Sequence, residues 1–223
     1  MEQRIFHTWN LSAAAGKKIQ ARLAELVIVR DAHRPIRRVA GVDAAYSKNG
    51  HTIAGAAVVL EAESLEVLEQ AVVLGTTSFP YIPGLFAFRE LPAVIAALKA
   101  LARAPDLIVC DGHGLAHPRK FGLTSHLGVL FDLPTIGCAK TPFGRRTALP
   151  GPQRGSQAVI KVRDETVACA LRTQTGVKPV FVSVGHRITL PTACEWILRL
   201  SPRFRLPETT RLAHQCAQAA IGK

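Results

Sequence analysis

Two aspartates in this chain stand where aspartates are rarely found. Asp43 interrupts the apolar run Val39-Ala40-Gly41-Val42-Asp43-Ala44-Ala45, and Asp111 closes the run Leu107-Ile108-Val109-Cys110. Short apolar runs of this kind read as central strands buried on both faces. Aspartate is depleted in strands, and a lone buried carboxylate is costly enough to demand a metal, a cation or a proton. Two acids placed this way on neighbouring strands can share a divalent cation. Glu90 borders the apolar stripe of a helix, one turn before Val94, and so leans toward the sheet. His214 borders the apolar face of the last helix, ahead of Ala217 and Ile221. Three carboxylates and a histidine converging in a basic chain point to Mg²⁺-assisted phosphodiester hydrolysis. Magnesium takes oxygen ligands and uses few protein carboxylates beside water and phosphate. One or two ions would activate a water, polarise the phosphoryl oxygen and stabilise the leaving oxygen, with His214 orienting the water or shuttling a proton. Singly, each group has a plainer use: Asp111 as a turn cap, Glu90 as a solvated helix residue, His214 as a core-edge histidine.

The charge balance names a partner class. With 28 Lys and Arg against 16 Asp and Glu, the net charge is +12, which suits a polyanion, most commonly nucleic acid. The bases gather between His113 and Arg154: His117, Arg119, Lys120, His126, Lys140, Arg145, Arg146 and Arg154 face a single acid, Asp132. No run of about 18 apolar residues suggests a membrane span. No apolar leader follows Met1-Glu2-Gln3-Arg4, so a cytoplasmic location is expected. The five cysteines are an odd number without a Cys-x-x-Cys pair and read as reduced, buried thiols.

These residues need elements to position them. Leu11, Ala15, Ile19, Leu23, Leu26 and Val27 fall at helical spacing and predict a helix over 11–29. Strands are predicted at 38–46, 52–60 and 65–74, the first two joined by an Asn49-Gly50 hairpin. A proline-rich loop, Phe79 to Gly84, precedes a helix over 85–102 that Pro92 kinks or restarts. A strand at 107–111, a helix at 122–131 and a strand at 134–139 follow, then an exposed loop at 143–156. Strands at 157–162, 166–172 and 179–183 and helices at 189–200 and 207–221 complete the chain. Hairpins join the first three strands, and helical crossovers make the next ones parallel. The expected architecture is α/β, a central mixed β-sheet flanked by helices in one domain over 1–223, with the first strand central and the fourth beside it.

Several stretches together resemble the endonuclease V family. They are Gly41 to Tyr46, Pro80-Tyr81-Ile82-Pro83-Gly84 with Phe88-Arg89-Glu90, Cys110 to Gly114 running to His117-Pro118-Arg119, and Gly137 to Lys140. Val182 to Ile188 and Leu206 to His214 complete the set. They occur in this order over about residues 38 to 216. The resemblance implies a ribonuclease H-like fold, which agrees with the strand order above. It implies that Asp43, Asp111 and Glu90 bind Mg²⁺, with Mn²⁺ as a substitute, and that His214 completes the site. It further implies nicking of the second phosphodiester bond 3′ to a deaminated base, leaving 3′-hydroxyl and 5′-phosphate ends. Damaged DNA containing deoxyinosine is the expected partner, with inosine-containing RNA as a second possibility, and a monomer is expected. Val184, where many relatives would carry proline, lies away from these residues.

In such a family member, Pro80, Tyr81, Ile82 and Pro83 form a wedge at the lesion. Two prolines stiffen the loop, while Tyr81 and Ile82 offer flat and apolar surface to fill a vacated base stack. The turned-out base needs a pocket, for which Gly84, Leu85, Gly112 and Gly122 are candidates, because glycines let backbone amides come close. Lys140 is a candidate for the scissile phosphate, and His117 and Arg119 are candidates for phosphate contacts. Two other metal nucleases of similar fold, a junction resolvase and a transposase-like enzyme, would use the same acids, but the wedge loop argues against them. An actin-like kinase would need glycine soon after the strand aspartate, where Ala44-Ala45 stand. A catalytically silent nucleic-acid-binding module would not need all four reactive side chains.

Overall fold

The alternation of short apolar runs with turns builds first an antiparallel meander of β1 (Arg38–Tyr46), β2 (Thr52–Glu61) and β3 (Val67–Thr76). Gly50, at the first hairpin, takes the left-handed φ of +71° that such turns favour. The computed structural model describes residues 1–32, 34–143 and 148–222. After the meander, α2 (Ala87–Ala100) leads to β4 (Leu107–Cys110), and α3 (Leu123–Phe131) leads to β5 (Thr135–Ala139). Both crossovers deliver parallel strands, β4 beside β1 and β5 beside β4. A second antiparallel set follows: β6 (Gln157–Val162), β7 (Glu165–Leu171) and β8 (Val180–His186). The eight-stranded order is β3-β2-β1-β4-β5-β8-β7-β6, with β8 antiparallel to β5.

Helices cover both faces. Ala40, Val42, Ala57 and Val59 on one face pack with α2, α3 and Leu23 of α1 (Ala13–Ala24). On the other face Val39, Val109 and Ile136 pack with α4 (Leu190–Arg199), and Val58 and Leu60 pack with Ala213 of α5 (Glu208–Ala220). Two strand glycines set how close the helices come. A Cβ on Gly41 would sit 2.0 Å from the Thr209 carbonyl oxygen at the start of α5, and one on Gly55 would sit 2.2 Å from the Ala93 carbonyl carbon in α2. Only a bare backbone at these two positions lets α5 and α2 rest on the sheet.

Three expectations need correction. The first helix is Ala13–Ala24, not 11–29. Ser12 caps it by accepting from the Ala15 amide, and past Ala24 the chain is drawn across to β8, where the Arg187 amide bonds the Ile28 carbonyl at 2.7 Å. Leu26 and Val27 keep helical spacing without being helical. The last strand runs to His186 rather than ending at 183, because its far half pairs with β5. Pro92 lies inside one continuous helix rather than starting a second segment, and forfeits one backbone bond. The cysteines are all free, and four of the five are buried. No described helix is long and apolar enough to cross a membrane.

Candidate active site

Asp43 and Asp111 are brought side by side by strand register. The parallel pairing of β1 and β4 ends at Val42 against Cys110, so the next residue on each strand is an aspartate. Asp43 is largely buried, and burial first, then the nearby Asp111, pushes its carboxyl above the ordinary value despite the His214 hydrogen bond. Asp111 lies just past the end of its strand and is more open, and its Oδ2 accepts from Lys140 Nζ at 2.5 Å.

The two helices supply the remaining groups from opposite faces. α5, lying over Gly41, places His214 Nδ1 2.7 Å from Asp43 Oδ2. α2, lying over Gly55, buries Glu90, whose Oε1 accepts from the Tyr46 hydroxyl at 3.3 Å. Burial and then the Asp43 and Asp111 charges hold the Glu90 carboxyl well above its ordinary value. Arg89 stacks over the Tyr46 ring at 4.8 Å, and its guanidinium bonds the Phe79 carbonyl at 2.8 Å, tying this corner to the proline-rich loop. Even the Cys110 thiol, fully buried behind the acids, is pushed up to about 12, mainly by burial.

Three mutually repelling carboxylates, with the Lys140 ammonium on Asp111, form a donor set that suits a hard divalent cation. Among the described residues no three His, Cys, Asp or Glu side chains already close on a point as a finished cage. Mg²⁺ is such a hard divalent cation, taking oxygen ligands and keeping several waters beside one or two carboxylates. The oxygen-only donors Asp43, Asp111 and Glu90 agree with it in type.

Beside the acids opens a cavity of about 560 Å³, walled by Asp111 and Lys140 on one side and by the Tyr81-to-Gly84 loop on the other. Tyr81 is 70% exposed at its rim, in edge contact with Phe86. Gly84, Gly112 and Gly122 line the cavity. Gly84 adopts φ +79°, and its Cβ would crowd the Arg119 guanidinium at 2.8 Å. Gly122 caps α3, where a Cβ would strike the His113 carbonyl at 2.1 Å. Leu85 is fully buried with Phe79 and Phe88 and does not line the cavity, so the expectation that it faces the base is corrected: its side chain is spent on packing under the loop.

His117 and Arg119 are engaged differently from the expectation. The Gly84 carbonyl oxygen is held by His117 Nε2 at 3.1 Å and by Arg119 Nη2 at 2.5 Å. Burial pushes the His117 imidazole down to about 4, so it is neutral near pH 7 and brings no charge to a phosphate. The partner that the sequence hides is Gln20 of α1. Its side chain is 1% exposed, donates to the Gly84 carbonyl at 3.0 Å and to the Phe121 carbonyl at 3.2 Å, and accepts from Arg119 Nε at 2.7 Å. The one clue in the sequence is a polar residue one position after Ile19 on the helix's apolar side.

Lys140 stands between Asp111 and the cavity, and its own carbonyl accepts from Arg205 Nη2 at 2.7 Å. Arg205 also bonds the Lys178 and Pro179 carbonyls, clamping the end of β5 to the start of β8. Arg154 does not join the basic zone around Asp111: its guanidinium is spent on the Thr173, Ser201 and Leu198 carbonyls. Arg145 and Arg146 lie outside the described residues.

Comparison with known proteins bears on the whole chain. A family model described as Endonuclease V matches residues 21–215. A Streptomyces avermitilis protein named Endonuclease V is 50% identical over 220 residues, 98% of this chain and 96% of that one. Its crystal structure superposes with a TM-score of 0.92 over 99% of this chain and 98% of the other. The Ciona intestinalis endonuclease V, crystallised with a 23mer DNA containing an inosine followed by a ribo-adenosine, is 26% identical. It covers 95% of this chain and 98% of its own, with a TM-score of 0.83.

Proposed function

The chain belongs to the endonuclease V family, a family of nucleases with a ribonuclease H-like fold, and from that premise we propose that it nicks DNA at the second phosphodiester bond 3′ to a deoxyinosine, leaving 3′-hydroxyl and 5′-phosphate ends with the aid of Mg²⁺. The observation that carries this reading is the register-fixed pair Asp43 and Asp111 beside a cavity whose rim exposes Tyr81.

Asp43, Asp111 and Glu90 would hold the divalent ion, which when bound supplies positive charge to the phosphoryl oxygens and makes water more acidic. The side chains divide the remaining work. An Asp43 carboxylate accepts from His214 Nδ1, which leaves Nε2 of a neutral imidazole free to take a proton from water or relay one to the leaving oxygen. His214 is half exposed, as a group that exchanges protons with solvent must be. Lys140 Nζ, beside Asp111 on the cavity wall, is placed to meet the negative charge of the scissile phosphate. Tyr81 and Ile82, held on a loop stiffened by Pro80 and Pro83, enter the stack where the lesion base leaves. Gly84, Gly112 and Gly122 then face the turned-out base. The DNA-bound Ciona relative supports this choice of ligand.

An end-labelled duplex with one deoxyinosine tests the reading, incubated with and without Mg²⁺ beside an undamaged duplex and an inosine-containing RNA. One Mg²⁺-dependent nick a nucleotide beyond the phosphate 3′ to the lesion is the expected result. No lesion-directed cut on the duplex would overturn it, and a cut on the RNA alone would reassign the substrate.

A further inference from the structure

The end of the sheet opposite the carboxylates carries arginines that this reaction leaves unused. Arg38 and Asp106 stand at the beginnings of β1 and β4, five residues before Asp43 and Asp111, which is about 16 Å at ~3.3 Å per strand residue. Two clefts of about 420 and 450 Å³ adjoin there and share Arg34 and Asp106 as walls. Among the described residues every base lining them is an arginine: Arg4, Arg30, Arg34, Arg37, Arg38 and Arg187. Among the described residues their acids are Asp31, Asp106 and Asp132.

The acids are already committed. Asp132 takes a two-pronged bond from Arg187, at 2.5 and 3.0 Å. Asp106 accepts the Arg37 and Arg38 amides at 3.0 and 2.9 Å. Asp31 holds the start of α4 through the Thr189 amide and the Thr189 and Thr192 hydroxyls. Arg30, Arg34 and Arg37 remain exposed and make no ion pair among the described residues. Arg30 does not stand on a loose loop. The Arg187 amide bonds the Ile28 carbonyl, the Ala32 amide bonds the Arg187 carbonyl, and the Ile28 amide bonds His186 Nδ1, so the segment is pinned along the end of β8 on either side of Arg30.

We propose that this arginine end is a second, non-catalytic surface for duplex DNA, binding backbone phosphates of a segment away from the one being cut. The proposal rests on the reading that the chain acts on DNA. Guanidinium forks match phosphate oxygens two at a time, and among the described residues the clefts hold arginine and no lysine, so the chemistry selects phosphate geometry as well as charge. Arg30, fixed on both sides, loses little backbone freedom on binding, and a substrate that is itself a long polyanion supplies the second segment without another partner.

The test uses the full-length chain and the triple variant Arg30→Gln, Arg34→Gln, Arg37→Gln. Affinity for undamaged duplex DNA is measured against salt, once with a duplex that spans only the carboxylate end and once with one long enough to reach both ends. Each neutralised phosphate contributes about 0.9 to the slope of log K against log salt, so the variant should lose roughly 2 to 3 from the long-duplex slope. The short-duplex slope should not move, nicking of a short deoxyinosine duplex should persist, and the triple Arg→Lys variant should recover the slope. An unchanged long-duplex slope overturns the proposal. So does tighter binding of polyglutamate than of duplex DNA through these arginines, which would make the surface a protein-docking site. Wild-type protein that does not nick inosine duplexes counts against the proposed reaction, while the salt slopes still decide this surface on their own.

Discussion

His214 Nδ1 lies 2.7 Å from Asp43 Oδ2, joining the last helix to a central strand across 171 residues of chain. The contact depends on Gly41, two residues before Asp43 on the same face of the strand, because only a missing Cβ lets the start of α5 settle there. Strand, glycine and helix therefore act as one device that orients the imidazole on the carboxylate.

Replacing His214 by alanine removes the proton-transfer group while leaving Asp43 in place. A fall in kcat of about 10²- to 10⁴-fold is expected, with DNA affinity nearly unchanged. Single-turnover nicking alongside equilibrium binding checks it; a defect confined to affinity would contradict the role.

Gly41→Ala should cost stability and activity together. The new Cβ would lie 2.0 Å from the Thr209 carbonyl oxygen, so α5 must shift, at a cost of roughly 1–3 kcal/mol or more. Gly75→Ala is the matched control, since its Cβ meets nothing closer than 3.9 Å. Thermal unfolding and nicking of both variants are the measurements, and equal Tm values would refute the close-approach argument.

Gln20→Leu tests the lock on the Gly84 carbonyl. Losing the side-chain amide strips one donor from Gly84 and leaves Arg119 Nε without its acceptor, costing about 1–3 kcal/mol of stability. The loop around Gly84 then loses its fixed position, so KM for the deoxyinosine duplex should rise more than kcat falls. Equal losses on damaged and undamaged duplexes would show the network to be purely structural.

The acid cluster makes a prediction about metal. Asp43 and Glu90 are both held above their ordinary values by burial and by neighbouring carboxylates. Mg²⁺ should therefore raise Tm, by an amount that follows its concentration. Asp43→Asn should raise the metal-free Tm, by up to about 2 kcal/mol of stability, while abolishing both the Mg²⁺ response and nicking. Calorimetry with and without chelator decides it.

His126 gives a pH dependence whose sign can be worked out. It is fully buried, with Nε2 2.7 Å from His7 Nε2, and burial holds its pKa well below the ordinary value of ~6.5. Below that ordinary value the unfolded chain takes up a proton that the folded chain refuses. Stability should therefore be full above about pH 6.5 and fall as pH drops, by at most ~1.4 kcal/mol per pH unit for this one group. His117 and His186 are depressed in the same direction and add to the slope. Urea unfolding from about pH 7.5 to about pH 5 measures it, and His126→Phe should flatten the curve.

Much of the fold was legible because its cues are local. Apolar runs, the Asn49-Gly50 turn and helical spacing fixed most elements to within two residues. The exceptions had non-local causes. Leu26 and Val27 keep the helical period, yet backbone bonds between Ile28 and Arg187 take the chain elsewhere. Strand β8 extends to His186 because β5, far back in the chain, is there to pair with it.

The site divides in the same way. Asp43 stood out in the sequence because a carboxylate inside an apolar strand conflicts with its surroundings, and Asp111 followed from the same pattern at a strand end. Glu90 and His214, which singly read as an ordinary helix residue and a core-edge histidine, were singled out by the family resemblance. The sequence by itself thus determined that Asp43 carries a desolvation cost, because an ionisable group among apolar neighbours loses its water wherever the fold buries it. Tertiary structure alone decided which groups meet: Gln20 and Arg119 on the Gly84 carbonyl, Arg205 on the Lys140 carbonyl, and the arginine row at the far end of the sheet. Those contacts join residues far apart in the chain, Gln20 and Arg119 being 99 positions apart, and their polar atoms look ordinary until packing removes the water that would otherwise satisfy them.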